Sequence, residues 1–70
     1  MNLGIIKVKI NQTAFDLQVN STLEDAAKIY GATPPFAAAV NTEFVPRSDY
    51  KEKRLKNGDE IELISPITGG

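Results

Sequence analysis

The chain begins with two short stretches in which apolar and polar side chains alternate. A period of two residues is typical of a β-strand with one buried face. The apolar positions of the two stretches are Ile6, Val8, Ile10, Phe15, Leu17 and Val19. The polar residues 11–13 separate the stretches, so the pattern predicts a β-hairpin.

The next segment changes to the period of a helix. Its apolar residues fall at i, i+3, i+4 and i+7, the spacing of one helical stripe: Leu23, Ala26, Ala27 and Tyr30. Upstream, Ser21 with Glu24 three residues later predicts a capping box that starts the helix. Gly31 predicts the end of the helix, because glycine readily adopts the left-handed conformation. Pro34 and Pro35 then prevent the helix from continuing.

An apolar run over residues 36–40 follows these prolines. Because the run is apolar on both faces and follows helix-breaking residues, it predicts a buried strand. Residues 41–43 predict a turn. Phe44 and Val45 predict a short extended piece, which Pro46 limits to the edge of a sheet.

The last predicted elements are a turn at residues 57–59 and a strand at residues 60–64, and together they complete an α+β pattern. A single helix covers one face of a sheet, and a right-handed crossover from the hairpin through that helix places later strands beside the first. We therefore expect one β-grasp domain over residues 1–65, with a mixed sheet of four to five strands and one main helix on one face. Residues 66–70 are expected to form a flexible tail.

Size and composition narrow the possible functions. A chain of 70 residues supports one small domain. With 41% hydrophobic and 24% charged residues, its composition is that of a globular protein. The absence of cysteine and histidine excludes metal sites built on thiolate or imidazole, and nucleophilic mechanisms that use Cys or a Ser-His pair.

Charge and hydropathy argue against two kinds of partner. The longest apolar run, residues 36–40, is far shorter than the roughly 20 residues that cross a bilayer, and the start of the chain lacks the pattern of a signal peptide. We therefore expect a cytoplasmic protein without a membrane partner. The formal net charge of -1 offers no long-range attraction to nucleic acid.

Two carboxylate pairs are the nearest approach to catalytic machinery. Glu24 and Asp25 lie in the first turn of the predicted helix, where the helix dipole favours negative charge. Glu60 and Glu62 lie on the polar face of the last predicted strand. Because both pairs have these structural explanations, we do not expect the chain to be an enzyme on its own.

Five of the eight basic residues fall within residues 47–56. Asp49 and Glu52 are interleaved with them, which favours a solvated loop. The alternative is a docking surface for an acidic partner.

The chain ends in Gly69 and Gly70. A frayed end is one explanation. The functional alternative is that glycine, which lacks a Cβ, lets a main-chain carboxylate enter a narrow active site in another enzyme. Residues 66–70 would span about 17 Å when extended. A carboxylate is a poor electrophile, so we expect its activation by ATP to an acyl adenylate, with this protein as the substrate.

Three segments carry a family resemblance. Residues 40–47 end in Val-Pro-Arg, residues 55–63 fit the pattern L-x-x-G-D-x-I-x-L, and the diglycine closes the chain. Together they resemble the ThiS/MoaD group of ubiquitin-like sulfur carriers over nearly the whole length. The Val-Pro-Arg segment and the short length are more like the thiamine-pathway carriers. Residues 65–68 are more like the proline-containing approach to the glycines in molybdopterin-synthase small subunits.

The resemblance implies a set of partners. A ubiquitin-activating-type adenylyltransferase, similar to ThiF or MoeB, would use ATP to adenylate Gly70, and Gly69 would give the tail clearance. A sulfurtransferase or cysteine desulfurase would then supply the sulfur of a thiocarboxylate. The acceptor would be thiazole synthase, or the large synthase subunit in the molybdopterin case. No cofactor is expected to bind the carrier itself.

Two groups of side chains are candidates for docking these partners. Interface cores favour apolar and aromatic residues, and the apolar candidates are Phe44, Ile64 and Ile67. Acidic side chains would complement a basic groove on the activating enzyme, and the acidic candidates are Asp59, Glu60 and Glu62.

Two other functions remain open from the sequence. A ubiquitin-like binding module would use its sheet face and need no free Gly70. A protein modifier would be joined to lysines through the same activated carboxylate, and the sequence does not separate it from a sulfur carrier.

Overall fold

The computed structural model describes residues 4–65, which form a five-stranded sheet with one α-helix. The elements are β1 (Ile5–Ile10), β2 (Thr13–Gln18), α1 (Leu23–Tyr30), β3 (Ala37–Val40), β4 (Glu43–Val45), the 3-10 helix η1 (Arg47–Asp49) and β5 (Glu60–Ile64). The sheet order is β2-β1-β5-β3-β4. Only β1 and β5 run parallel, and the other neighbours are antiparallel. The expected α+β class and mixed sheet are confirmed.

The proposed tail, residues 66–70, lies outside the described residues. Within residues 4–65, no helix has the length and apolar character needed to cross a membrane.

Both hairpins close with two-residue turns. Ile10 pairs with Thr13, and Val40 pairs with Glu43. The four turn residues all have positive φ: Asn11 (51°), Gln12 (73°), Asn41 (52°) and Thr42 (71°). Positive φ at both central residues is what a type I′ turn requires, and this turn matches the twist of paired strands. The predicted three-residue breaks are therefore one residue too long.

The helix begins one residue later than predicted. Its N-cap is Thr22, whose side-chain oxygen accepts a hydrogen bond from the Asp25 backbone N–H at 3.3 Å. The Asp25 carboxylate in turn accepts from the Thr22 backbone N–H at 3.0 Å. Ser21 does not cap, because its hydroxyl donates to the Gln18 carbonyl at 2.7 Å. Gly31 ends the helix with φ 92°, as predicted.

The core lies between α1 and one face of the sheet, which we call the inner face. It contains the apolar residues that the sequence predicted for the β1–β2 hairpin and for α1, except for three residues at its margin. Phe15 is half-buried, while Val19 and Tyr30 are exposed. The rings of Phe15 and Tyr30 meet edge-on at 6.0 Å, which closes this end of the core.

The expectation that β3 is buried on both faces is wrong for one face. Ala38 and Val40 point into the core, but Ala37 is exposed and Ala39 is half-buried. With one α-helix in residues 4–65, the opposite face of the sheet, which we call the outer face, receives no covering layer from the described residues.

Two asparagines of the hairpin turns hold opposite ends of β5. The Asn11 side-chain amide accepts from the Leu63 N–H at 2.9 Å and donates to the Leu63 carbonyl at 3.1 Å. The Asn41 side chain accepts from the Glu60 N–H at 3.0 Å, and the Asn41 backbone N–H donates to the Glu60 carbonyl at 2.7 Å. Each asparagine side chain thus makes hydrogen bonds to β5 that the backbone of a paired strand would otherwise make. It does so at the point where its own strand ends in a turn.

We expect Asn11→Gly to lower the free energy of unfolding by about 1–2 kcal/mol, because the backbone groups of Leu63 lose two hydrogen-bond partners. Glycine tolerates positive φ, so the substitution isolates the side-chain contribution. The measurement is urea denaturation. Gln12→Gly is the matched control in the same turn, since Gln12 is exposed and also has positive φ. An equal loss in both variants would contradict the role of the Asn11 amide.

Candidate functional site

Large apolar side chains remain exposed on the outer face of the sheet. The alternation along β5 buries Ile61 and Leu63 and turns Ile64 outward, where it is 62% exposed. On the edge strand β4, Phe44 is 69% exposed. Exposed apolar side chains mark a binding surface when they form a contiguous patch rather than lie singly.

The strand register brings these side chains to the same part of the outer face. Phe44 pairs with Ala39, and Ala37 pairs with Ile64. Neighbouring strands lie about 4.8 Å apart, and positions two residues apart in β3 share a face. Phe44 and Ile64 therefore lie on either side of β3, with the two alanines between them. We call these four residues the outer apolar patch.

Charged side chains of both signs lie next to the outer apolar patch on the outer face. Glu62 pairs with Ala39, so its carboxylate borders the patch directly. Glu60 pairs with Lys9 on the neighbouring strand. Further along, Lys7 and Asp16 form a solvent-exposed ion pair at 3.4 Å, which contributes little to stability.

Asp59, an expected docking residue, is turned into the fold and is only 6% exposed. Its carboxylate accepts from the Asn41 side chain at 2.9 Å and from the Lys56 backbone N–H at 2.8 Å. Both oxygens therefore brace the turn, which Gly58 completes with φ 90°. The burial of Asp59 does not fit its predicted docking role, whereas Glu60 and Glu62 are exposed and stay docking candidates.

Three predicted site residues, Ile67, Gly69 and Gly70, lie outside the described residues. The chain leaves the described part at Ser65, one residue after Ile64 of the outer apolar patch. The outer apolar patch therefore lies beside the point where the described part of the chain ends.

The carboxylates of the described residues form no cluster typical of a metal centre. Within residues 4–65, no three or more potential metal ligands come together. Asp25 is engaged in the helix cap, as described above. Glu60 and Glu62 lie on the outer face, as predicted.

Two members of the patch were missed by sequence reasoning. Ala37 and Ala39 were expected to be buried, and their register against Phe44 and Ile64 follows only from long-range pairing. A usable signal was that the chain has just one predicted helix, so one face of the sheet had to remain uncovered.

Comparisons with known proteins agree with this fold. The model of the ThiS family matches residues 6–70. The crystal structure of the thiamine biosynthesis protein ThiS from Geobacter metallireducens is similar, with a TM-score of 0.76 and 14% sequence identity. The similarity covers 93% of this chain and 100% of that one. At this identity the likeness shows the fold, which is the β-grasp fold expected from the sequence. No curated protein sequence gives a significant match.

Proposed function

The chain belongs to the ThiS family, and from this membership we propose that it is a sulfur carrier whose terminal Gly70 bears the sulfur as a thiocarboxylate. The observation that carries the proposal is the family match, because it extends through residue 70 and so includes the terminal diglycine. The composition adds a constraint. With no cysteine in the chain, no side chain offers a thiol for a persulfide, so the cargo sulfur belongs on the terminal carbonyl.

The proposed chemistry has two steps, both on the Gly70 carboxyl group. First, the carboxylate attacks the α-phosphate of ATP, which releases pyrophosphate and forms an acyl adenylate. In the second step the outer sulfur of a persulfide on a sulfurtransferase or cysteine desulfurase displaces AMP, and a thiol then cleaves the S–S bond of the resulting acyl disulfide, which leaves the thiocarboxylate on Gly70 and a disulfide on the donor. A ubiquitin-activating-type adenylyltransferase supplies the active site, and this chain is its protein co-substrate rather than the enzyme. Gly69 provides clearance for the tail.

The sulfur acceptor that we propose is thiazole synthase of thiamine biosynthesis. The Val-Pro-Arg segment at residues 45–47 and the match to the ThiS family model both support this acceptor over the molybdopterin pathway. The test combines the thiocarboxylated protein with thiazole synthase and, separately, with molybdopterin synthase. We expect sulfur transfer only to the first.

The first chemical step has a direct assay. In the presence of the adenylyltransferase from the same genome, exchange between pyrophosphate and ATP should depend on this chain. Exchange that proceeds equally without the chain, or that never responds to it, would count against the proposal.

Docking is assigned to the outer apolar patch together with Glu60 and Glu62. The patch offers an aromatic and an aliphatic side chain that are already exposed, so binding would bury them at little structural cost. It also lies next to the last described residue, Ser65. A partner that covers the patch therefore has the beginning of the tail within reach.

We expect Phe44→Ala to weaken binding to the adenylyltransferase by about tenfold or more, because the variant removes the largest exposed apolar side chain of the patch. The free energy of unfolding should change little, since Phe44 is mostly exposed. The measurement is titration calorimetry. Ile29→Ala is the matched control, because Ile29 is also exposed (55%) but lies on α1. Equal weakening by both variants would remove the patch from the docking surface.

A further inference from the structure

A cleft lies on the α1 side of the domain, separate from the outer apolar patch. Its volume is about 480 Å³, the size of many small binding pockets. Apolar walls come from α1 and from the segment that leads into β3, including Ala27, Ala32 and Pro35. Residues of η1 and the turn after it complete the lining.

Two stacked aromatic rings give the cleft a rigid apolar surface. The rings of Phe36 and Tyr50 lie nearly parallel, 6° apart in plane, with centroids 5.3 Å apart. The Tyr50 hydroxyl donates to the Phe36 carbonyl at 3.1 Å, which holds the two residues together. Tyr50 is buried and Phe36 is half-buried, so the surface is formed without a ligand.

The rim of the cleft is mainly basic. Lys28, Arg47 and Lys51 border it and are all exposed, while Glu24 is the single acidic side chain in its lining. Within residues 4–65, none of the three cations forms an ion pair. The cleft therefore combines an apolar surface with an excess of unneutralised positive charge.

The basic residues within residues 47–56 lie in different surroundings in the structure. Arg47 and Lys51 border the cleft. Lys53 instead borders a separate depression lined by three acidic residues, which are Glu43, Asp49 and Glu52. Arg47 and Lys51 are thus exposed, as expected for a solvated loop, and also border the cleft.

We propose that this cleft binds an acidic segment of a partner protein that inserts one aromatic or aliphatic side chain. The unpaired cations favour an acidic sequence, and the stacked rings favour an apolar anchor. Because no strand of the sheet lines the cleft, the segment is held by its side chains rather than by strand addition. The proposal concerns the folded domain and does not depend on sulfur transfer.

The position of the cleft allows a partner to bind there without covering the outer apolar patch. Phe36 precedes Ala37, which pairs with Ile64 at the end of β5. The cleft on the α1 side and the outer apolar patch therefore both border the end of β5. A partner can engage the cleft while the outer apolar patch remains available to another protein.

The chain contains no tryptophan, so a tryptophan-containing peptide is its own fluorescent probe. We expect the peptide acetyl-Asp-Glu-Trp-Glu-Asp-amide to bind the full chain with a dissociation constant below about 1 mM, with a blue shift of its emission. The uncharged analogue acetyl-Asn-Gln-Trp-Gln-Asn-amide should bind more weakly, and raising the salt concentration should reduce the difference. In NMR spectra, the amide signals of Lys28, Phe36 and Tyr50 should move on titration.

A charge-reversal pair provides the matched control. Arg47→Glu with Lys51→Glu should weaken binding of the acidic peptide by about tenfold or more. Arg54→Glu with Lys56→Glu makes the same change in net charge within the same basic run, but away from the cleft, and should have less than about a twofold effect. Equal weakening by the two pairs, no binding at millimolar peptide, or signal changes confined to the outer face would each overturn the proposal. Coupled movement of the Gly69 and Gly70 signals would assign the cleft to the chain's own tail and would overturn it as well.

Discussion

Deletion of Gly70 is expected to abolish thiocarboxylate formation and to leave the domain folded. The deletion moves the terminal carboxylate back by one residue, so it no longer reaches the position where the adenylyltransferase transfers the nucleotide. Gly70→Ala should have the same outcome, because its Cβ removes the clearance that glycine provides in a narrow active site. The core and strand pairings described here lie within residues 4–65, so neither variant removes any of them.

The readouts for this prediction are sulfur incorporation and the unfolding midpoint in urea. Thr68→Ala is the control within the same tail, and it should keep most of the sulfur incorporation because it leaves both glycines in place. Normal sulfur transfer by the Gly70 deletion would refute the proposed role of the terminus. Loss of folding in that variant would contradict the assignment of stability to the described domain.

Ile61→Ala is expected to cost about 2–5 kcal/mol of unfolding free energy. Ile61 is 1% exposed and lies in β5, the central strand of the sheet, where truncation leaves a cavity between the sheet and α1. A domain of this size has only about 4–10 kcal/mol of total stability. The loss should therefore appear as a large decrease in the urea midpoint.

Ile64→Ala makes the same chemical change three residues later in the same strand. Because Ile64 is mostly exposed, we expect its free energy of unfolding to change by less than about 0.5 kcal/mol. Its binding to the adenylyltransferase should weaken instead, since Ile64 belongs to the outer apolar patch. Similar destabilisation by the two variants would contradict the assignment of inner and outer faces.

The strands and the helix could be predicted because each depends on a local pattern. The alternation that marked β1 and β5 is reproduced residue by residue in their burial. The end of α1 at Gly31 was also local, since one residue type supplies the left-handed conformation. The predicted start of α1 was one residue too early, because Ser21 and Thr22 are both suitable N-cap residues. The choice depended on the hydrogen bond from Ser21 to Gln18.

Features that depend on long-range contacts could not be predicted in the same way. Asp59 looked like an exposed turn residue, but its carboxylate binds Asn41, which is 18 positions away in the sequence. The cleft is lined by side chains that are far apart in the sequence, from α1 to the residues around Tyr50. They lie next to one another only in the folded protein. Two of the four residues of the outer apolar patch, Phe44 and Ile64, were predicted as docking residues from the sequence. The two alanines between them could be placed only once the register of β3 was known.

The most direct test of the central claim uses the absence of cysteine in the chain. The purified protein should not react with a thiol-specific fluorescent reagent. After incubation with ATP, a sulfur donor and the adenylyltransferase from the same genome, it should gain one label per chain, and the Gly70 deletion should gain none. A fluorescent label is preferable to intact mass, because oxidation of Met1 adds nearly the same mass as exchange of oxygen for sulfur. Labelling that is independent of ATP, or no labelling after the acyl adenylate has formed, would contradict the account.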